Sequence, residues 1–435
     1  MLDGPTFPDD WPRRPIYELA RWTNGLAFRD FQFSDSGWPV IKIAELKEGV
    51  TGQTKFTRQT FDERHHVKNG DMLLSWSGNP ETSLDVFWWR RGDGWLNQHI
   101  FKVEPTDIHP GFFYYLLRYL RPTFGEIAAN KQTTGLGHVT AGDLRSLLVG
   151  VPPVRVQQNI AYVLGSLDDK IELNCRMNQT LEEICRALFK FWFVDFGPVR
   201  AKAEGRWKKG ESLPGMPADM WDLWPSEFEE SEIGEIPNGW TVRGLLDVAS
   251  LHSGGTPTTS EPSYWGGGIP WVSGKDVSSA KGSFLLRTER TVSDKGIAHS
   301  HTSPLPARTV VITARGTVGA LAILAEPMCI SQTNYGLKAA NGVPDNFLRF
   351  AVEGAVEGLR QESYGTIFDT ITTKNLSATQ VVLPTPQVLA SFANRTDPLM
   401  SAVLLNLRLI ETLAEARDTL LPKLFSGEIR FMVDS

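Results

Sequence analysis

The chain is written twice, and that duplication limits the possible folds more than any local pattern. A segment beginning at Trp11, WPRRPIYELARWTNG, returns at Trp240 as WTVRGLLDVASLHSG and sets Gly25 on Gly254, an offset of 229. Pro39-Val40-Ile41 falls on Pro270-Trp271-Val272 at 231, and Leu96-Asn97-Gln98-His99 on Ile330-Ser331-Gln332-Thr333 at 234. Val139-Thr140, Asp143-Leu144 and Val151-Pro152 fall on Ile371-Thr372, Asn375-Leu376 and Leu383-Pro384 at 232. The order is kept and the offsets drift by a few residues, as loop insertions produce. A chain of 435 residues exceeds one ordinary domain, and the repeat divides it into two like halves.

Each half changes character at a proline step. Before it, short apolar runs alternate with Gly, Ser, Thr and Asn, as in Asp71-Met72-Leu73-Leu74-Ser75, Val86-Phe87-Trp88-Trp89 and Thr309-Val310-Val311-Ile312-Thr313. These read as short strands, mixed with helices near residues 112–120 and 347–359. After Pro152-Pro153 and Pro384-Thr385-Pro386 the period becomes helical. Leu164, Leu167, Ile171, Asn174, Asn178, Leu181, Cys185, Leu188 and Trp192 form a seam spaced by 3 and 4. Adding 232 gives Thr396, Leu399, Val403, Asn406, Ile410, Leu413, Arg417, Leu420 and Leu424. Both seams carry an Asn at the same step (Asn174 and Asn406), and a polar seam residue fixes register at some cost in stability. At 1.5 Å per residue the first seam runs roughly 40 Å, comparable with one turn of DNA at about 34 Å.

The predicted class is α+β: recognition-type domains at 1–152 and 237–384, spacer helices at 153–196 and 385–435, and a connector at 197–236. The connector begins basic (Arg200, Lys202, Arg206, Lys208, Lys209), turns acidic and reads as a solvated linker. Net charge is −6, which looks wrong for a partner of phosphates. Residues 219–235, however, hold seven carboxylates and no Lys or Arg, so the rest of the chain carries +1. No apolar run is long enough to span a membrane, the N-terminus lacks a signal-peptide pattern, and the cysteines (Cys175, Cys185, Cys329) form no CxxC pair. A reducing cytoplasm is the expected location.

Catalytic motifs are missing from the reading. Gly274-Lys275-Asp276 lacks the upstream glycine and the Ser/Thr of a phosphate loop. His65-His66 and His299/His301 are too isolated for a metal site, so no metal is expected. No Asn-Pro-Pro-aromatic or Asp-Pro-Pro-aromatic string and no GxSxG elbow occurs. Base reading instead needs Arg, Lys, Asn or Gln on loops aimed by a scaffold. In the first half the candidates are Trp76, Ser77, Asn79, Asn97, Gln98, His99, Lys131, Thr133, Thr134 and His138. In the second they are Ser253, Thr256, Arg315, Thr317, Ser331, Gln332, Thr333, Asn334 and Thr366.

Longer strings carry a family resemblance. They are Gly70-Asp71-Met72-Leu73-Leu74-Ser75-Trp76-Ser77-Gly78 with Leu96-Asn97-Gln98-His99-Ile100-Phe101, and centrally Phe193-Val194-Asp195-Phe196-Gly197-Pro198-Val199-Arg200-Ala201-Lys202 with Ile233-Gly234-Glu235-Ile236-Pro237-Asn238-Gly239-Trp240. The closing string is Leu420-Leu421-Pro422-Lys423-Leu424-Phe425-Ser426-Gly427-Glu428-Ile429. With these the chain resembles the specificity subunit of Type I restriction–modification systems over nearly all its length. The resemblance implies two target recognition domains, each reading half of a split, asymmetric double-stranded DNA site, and two long helices paired antiparallel as a coiled coil. It implies docking of two modification subunits, which carry S-adenosylmethionine and methylate adenine at N6, and of restriction subunits, which use ATP and Mg2+. The chain itself would hold no cofactor and make no bond. The alternatives are a stand-alone DNA-modifying enzyme, which would bind S-adenosylmethionine alone, and a duplicated scaffold for proteins only.

Overall fold

The computed structural model describes residues 5–131, 137–280, 282–362 and 370–431. It divides into two compact units, one of residues 1–171 with 412–435, the other of residues 172–411. Both boundaries fall inside long helices, Val154–Phe189 and Pro386–Ser426, so each unit holds part of both.

In unit 1 a four-stranded antiparallel sheet runs in the order Ala20–Asn24, Ile100–Pro105, Met72–Ser75, Asp85–Trp88. All four residues of Met72–Ser75 are buried, which explains its unbroken apolar run: neither face meets water. A smaller sheet pairs Trp38–Ile41 in parallel with Gly94–Leu96. Helix Pro110–Tyr119 packs Phe112, Phe113 and Leu116 into the core. The start and end of the domain are sewn together by Arg13–Pro15 against Leu148–Gly150.

Unit 2 repeats this plan. Its larger sheet runs Ala249–Ser253, Asn334–Ala339, Val310–Thr313, Leu321–Leu324, Phe284–Leu285, the last pair parallel. Trp265–Val272 pairs in parallel with Cys329–Ile330, helix Asp345–Glu362 buries Phe347 and Leu348, and Thr241–Gly244 closes on Gln380–Leu383. Thr140 and Thr372 cap equivalent short helices, accepting from Asp143 N at 3.3 Å and Asn375 N at 3.2 Å.

The first long helix starts where the proline step ends. Gln157, buried, reaches back to Pro152 O at 2.8 Å and accepts from His109 N at 2.8 Å. The second stops at Gly427, whose φ of 78° suits a glycine past a helix C-terminus. Within unit 2, Asn178 meets Asn406 and Phe189 meets Phe392, so the helices run antiparallel. The seam lies inward: Leu164, Asn174, Val403 and Asn406 are buried, and Leu167, Ile171, Leu181, Leu188, Leu399, Ile410, Leu413 and Leu420 are half-buried. Asn406 Nδ2 donates to Asn178 Oδ1 at 2.8 Å, so its seam partner is Asn178 and not its repeat-equivalent Asn174. Antiparallel pairing matches rising with falling numbers, whereas the repeat compares numbers that rise together.

The reading of residues 197–236 as a solvated linker is corrected. Val199, Ala201, Trp207, Met216, Met220 and Trp224 enter the core of unit 2, and Trp192 meets Trp224 edge-on at 5.0 Å. Lys202 donates to Trp221 O and Trp224 O at 2.9 and 2.5 Å over the Trp221 ring, and burial lowers its pKa. Phe228–Ser231 and Gly234–Pro237 then form a hairpin. Among the described residues no helix is long and apolar enough to cross a membrane.

Candidate nucleic-acid interface

One rim of the larger sheet gathers most of the candidate residues in each unit. In unit 1 it forms where strand Ala20–Asn24 ends, Met72–Ser75 leaves and Ile100–Pro105 enters. Trp76 N donates to His99 O at 3.2 Å, and Val139 N donates to Trp76 O at 2.9 Å. That last bond draws in Gly137–His138, which pairs with Ser77–Gly78. Segments around residues 24, 76, 98 and 138 thus meet at one place.

Unit 2 reproduces the same backbone bonds. Ala314 N donates to Thr333 O at 2.8 Å, and Ile371 N to Ala314 O at 3.0 Å. Arg315 bridges Thr370 as Ser77 pairs with His138. Gly25 and Gly254 are glycine for one reason in both copies. A Cβ at Gly25 would lie 2.0 Å from Asn97 O, and one at Gly254 would lie 2.1 Å from Ser331 O.

The side chains on this shared frame differ in freedom. In unit 1, Trp76 Nε1 donates to Asn24 Oδ1 at 3.0 Å, and the indole stacks on Phe101 with centroids 5.5 Å apart. His99 is exposed beside it, with Gln98 Nε2 3.2 Å from His99 Nε2, and Ser77 and His138 are half-buried. Asn97 is buried beneath them. Asn79 is spent on a turn, its Oδ1 accepting from Glu81 N at 2.9 Å. Lys131 is held by Asp143 at 2.5 and 2.7 Å. Burial opposes ionisation of Asp143, but hydrogen bonds from Lys131 and Thr140 outweigh it and keep the carboxyl below its usual range. Thr133 and Thr134 lie outside the described residues.

In unit 2, Ser253, Arg315, Thr317 and Gln332 are exposed, and Thr256 and Thr333 are half-buried. Ser331 and Asn334 are buried and serve the fold. Asn334 Nδ2 donates to Val272 O at 3.0 Å, and Ser331 Oγ lies 2.8 Å from Thr333 Oγ1. Thr366 lies outside the described residues. Gly274-Lys275-Asp276 opens a short helix capped by Ser273, with Lys275 paired to Glu289 at 2.7 Å.

Sequence reading missed Asn24, Thr370 and Arg360. Asn24 stands beside the repeated Gly25, the one local signal it had. Arg360 donates to Gly319 O at 2.9 Å and Val318 O at 3.2 Å, pinning the loop that carries Arg315. The rim therefore offers mixed hydrogen-bond donors and acceptors on a stiff backbone, a chemistry suited to reading the edges of bases.

Comparison with known proteins bears on the chain as a whole. Residues 8–183 and 237–390 match the Type I restriction modification DNA specificity domain. The specificity subunit of the Type I restriction enzyme HindI from Haemophilus influenzae is 28% identical over 408 residues, 83% of this chain and 87% of that protein. The MjaIX specificity subunit from Methanocaldococcus jannaschii is 30% identical over 166 residues, 38% of each chain. The crystal structure of a Type-I restriction-modification system S subunit from M. genitalium covers 100% of this chain and 99% of that one, with a TM-score of 0.53 and 16% identity, a likeness of fold. The family's domain is matched twice, once in each copy of the duplication and over most of the sequence, and the chain belongs to the Type I restriction modification DNA specificity family.

Proposed function

We propose that this chain supplies the DNA address of a Type I restriction–modification complex: each recognition domain reads one half of a split, asymmetric site, and the chain makes and breaks no bond itself. The observation that carries this reading is one rim built twice with the same backbone bonds and different side chains. Two copies of a single reader would see the same bases; two copies whose rims carry different side chains read different ones. Trp76, Ser77, His99 and His138 face one half-site, and Ser253, Arg315, Thr317 and Gln332 the other. Phosphate contacts position such a protein and base contacts specify it.

The paired helices act as a spacer and as a dock for two modification subunits. Leu173 and Met177 are exposed on the first helix, and Leu405 and Leu409, which lie 232 residues later, are exposed on the second. An apolar pair repeated with the duplication suits two copies of one partner. S-adenosylmethionine belongs on the modification subunits, and ATP and Mg2+ on the restriction subunits.

Mapping of N6-methyladenine across a genome, in cells with and without this chain, tests the reading. A bipartite methylated sequence should appear only with the chain. Exchange of residues 15–150 for another recognition domain should change one half of that sequence, and altered bases in both halves would contradict modular reading. Lengthening the first helix by whole heptads should change the number of unspecified bases between the halves.

A further inference from the structure

The two rims share their central backbone bonds, so positions in one have counterparts in the other. Asn24 answers to Ser253, since both end the strand that faces Phe101 or Tyr335. Trp76 answers to Ala314, His99 to Thr333, Ser77 to Arg315 and His138 to Thr370. All five pairs differ in size, charge or hydrogen-bonding capacity. Beneath them the frame is retained: Ser75 and Thr313 are both buried hydroxyls that accept from the returning strand, Asp85 N at 3.0 Å and Ala320 N at 2.8 Å.

Within that set, two side chains combine exposure with preorganisation. Arg315 is exposed and has no hydrogen bond or ion pair from its guanidinium among the described residues. Its loop is fixed on three sides: Thr313 Oγ1 bonds Thr317 O, Arg360 holds Val318 O and Gly319 O, and Ile371 N holds Ala314 O. A free guanidinium on a rigid loop presents its paired donors without first breaking another contact. Asn24 is exposed, and Trp76 settles which way its amide points. An indole N–H only donates, so the atom it meets at 3.0 Å is oxygen, and the NH2 faces away from the indole. One lone pair of Oδ1 and both amide hydrogens remain, the acceptor and donor that an adenine edge requires.

Resting on the reading of the rims as DNA readers, we propose that the divergent rim positions are the base-reading set, with Arg315 reading a guanine in one half-site and Asn24, held by Trp76, reading an adenine in the other. Ser253 and Ser77, at the mirror positions, are too short to make either contact.

The test uses the full chain with its modification subunits, and sequences the methylated sites. Arg315→Ala and Arg315→Lys should each relax one guanine position in one half-site and leave the other half unchanged, with binding to the original site about tenfold to a hundredfold weaker. Full selectivity in R315A, with binding weakened alike on every sequence, would reduce Arg315 to a phosphate contact and overturn its assignment, whereas lysine, which can also donate to guanine, reports only what the planar fork adds. Asn24→Asp keeps an acceptor for Trp76 and removes the amide donors. It should lose the adenine preference in the other half-site, and an unchanged site in N24D would leave Asn24 merely a support for Trp76. Exchange of residues 15–150 separates the two levels. If it moves a half-site while N24D and R315A do not, the duplicated readers stand and the assignment of bases falls.

Discussion

In unit 1 the contact between recognition domain and long helices is centred on an anion. Asp168 accepts from Tyr115 Oη at 2.7 Å, Arg118 at 3.4 Å and Arg417 at 2.5 Å. In unit 2 the corresponding contact is centred on a cation. Arg349, largely buried, donates to Ser283 Oγ at 2.7 Å and faces Glu353 at 3.3 Å and Glu182 at 4.0 Å. The inversion extends to single positions. Aligning Phe112 with Phe347 sets Arg118 on Glu353, and the repeat offset of 232 sets Asp418 on Arg186. The pair is Arg118–Asp418 at 3.9 Å in one unit and Glu353–Arg186 at 2.9 Å in the other. Each recognition domain is thus keyed to its own stretch of helix, and a domain set on the other's stretch would meet like charges. Duplication made two equal parts, and the inverted junctions make them non-interchangeable while the rims make them read differently.

The largest effect is expected at the buried centres. Arg349→Met removes the cation between Glu182 and Glu353 and should destabilise unit 2 by about 3–5 kcal/mol, because the largely buried Glu182 is left without a cation, whereas Glu353 keeps Arg186. Burial lowers the pKa of Arg349, and the carboxylates of Glu353 and Glu182 oppose that shift. Asp168→Ala should loosen unit 1 by roughly 2–3 kcal/mol, less because its carboxylate keeps more contact with water. Hydrogen exchange of the two larger sheets reports each unit separately. Equal loosening of both sheets by either variant would break the comparison.

Next comes the seam. Asn178→Leu deprives Asn406 Nδ2 of its acceptor in a buried place and should cost unit 2 about 1–3 kcal/mol, read from denaturant unfolding. Replacing both Asn178 and Asn406 by Leu should recover most of that loss while weakening the choice of register. A double variant as unstable as the single one would show that the amide pair contributes more than its mutual satisfaction.

A smaller effect sharpens the charge inversion. Arg186→Asp gives unit 2 the helix residue that unit 1 carries as Asp418, but opposite Glu353 in place of an arginine. The loss should be about 0.5–1 kcal/mol, since Arg186 is nearly half exposed and solvent screens the pair. It should shrink further at high salt. A loss that ignores salt would mean that Arg186 acts through packing.

These contrasts also show what was readable before the structure. The duplication, the strand at residues 72–75 and the apolar seam were legible because each is local or periodic. The orientation of Asn24 was not, because it depends on Trp76, 52 residues away and across two strands. Nor was the packing of residues 197–236: Trp207 and Trp224 follow no period, and the surrounding charges and prolines mimic a linker. The junction charges looked like ordinary helix-surface residues, since their meaning lies in a partner more than 150 residues distant.

Acid should separate the units most gently. Among the described residues His65 is the one buried histidine, and it lies in unit 1. Burial, then the charge of Arg64, lowers its pKa below the ordinary 6.5. Its Nε2 accepts from Arg64 Nε at 3.0 Å, which a neutral ring allows and a protonated one forbids. The unfolded chain therefore takes up a proton at a higher pH than the folded unit does. The stability that goes with the neutral ring is complete above the ordinary value and is lost as pH falls through it toward the lowered one. Unit 1 should accordingly exchange its sheet amides faster relative to unit 2 as pH drops below about 6.5, after correction for intrinsic exchange rates. His65→Gln, which keeps an acceptor for Arg64 and cannot take a proton, should abolish that difference, and a difference that persists in H65Q would place the acid response elsewhere.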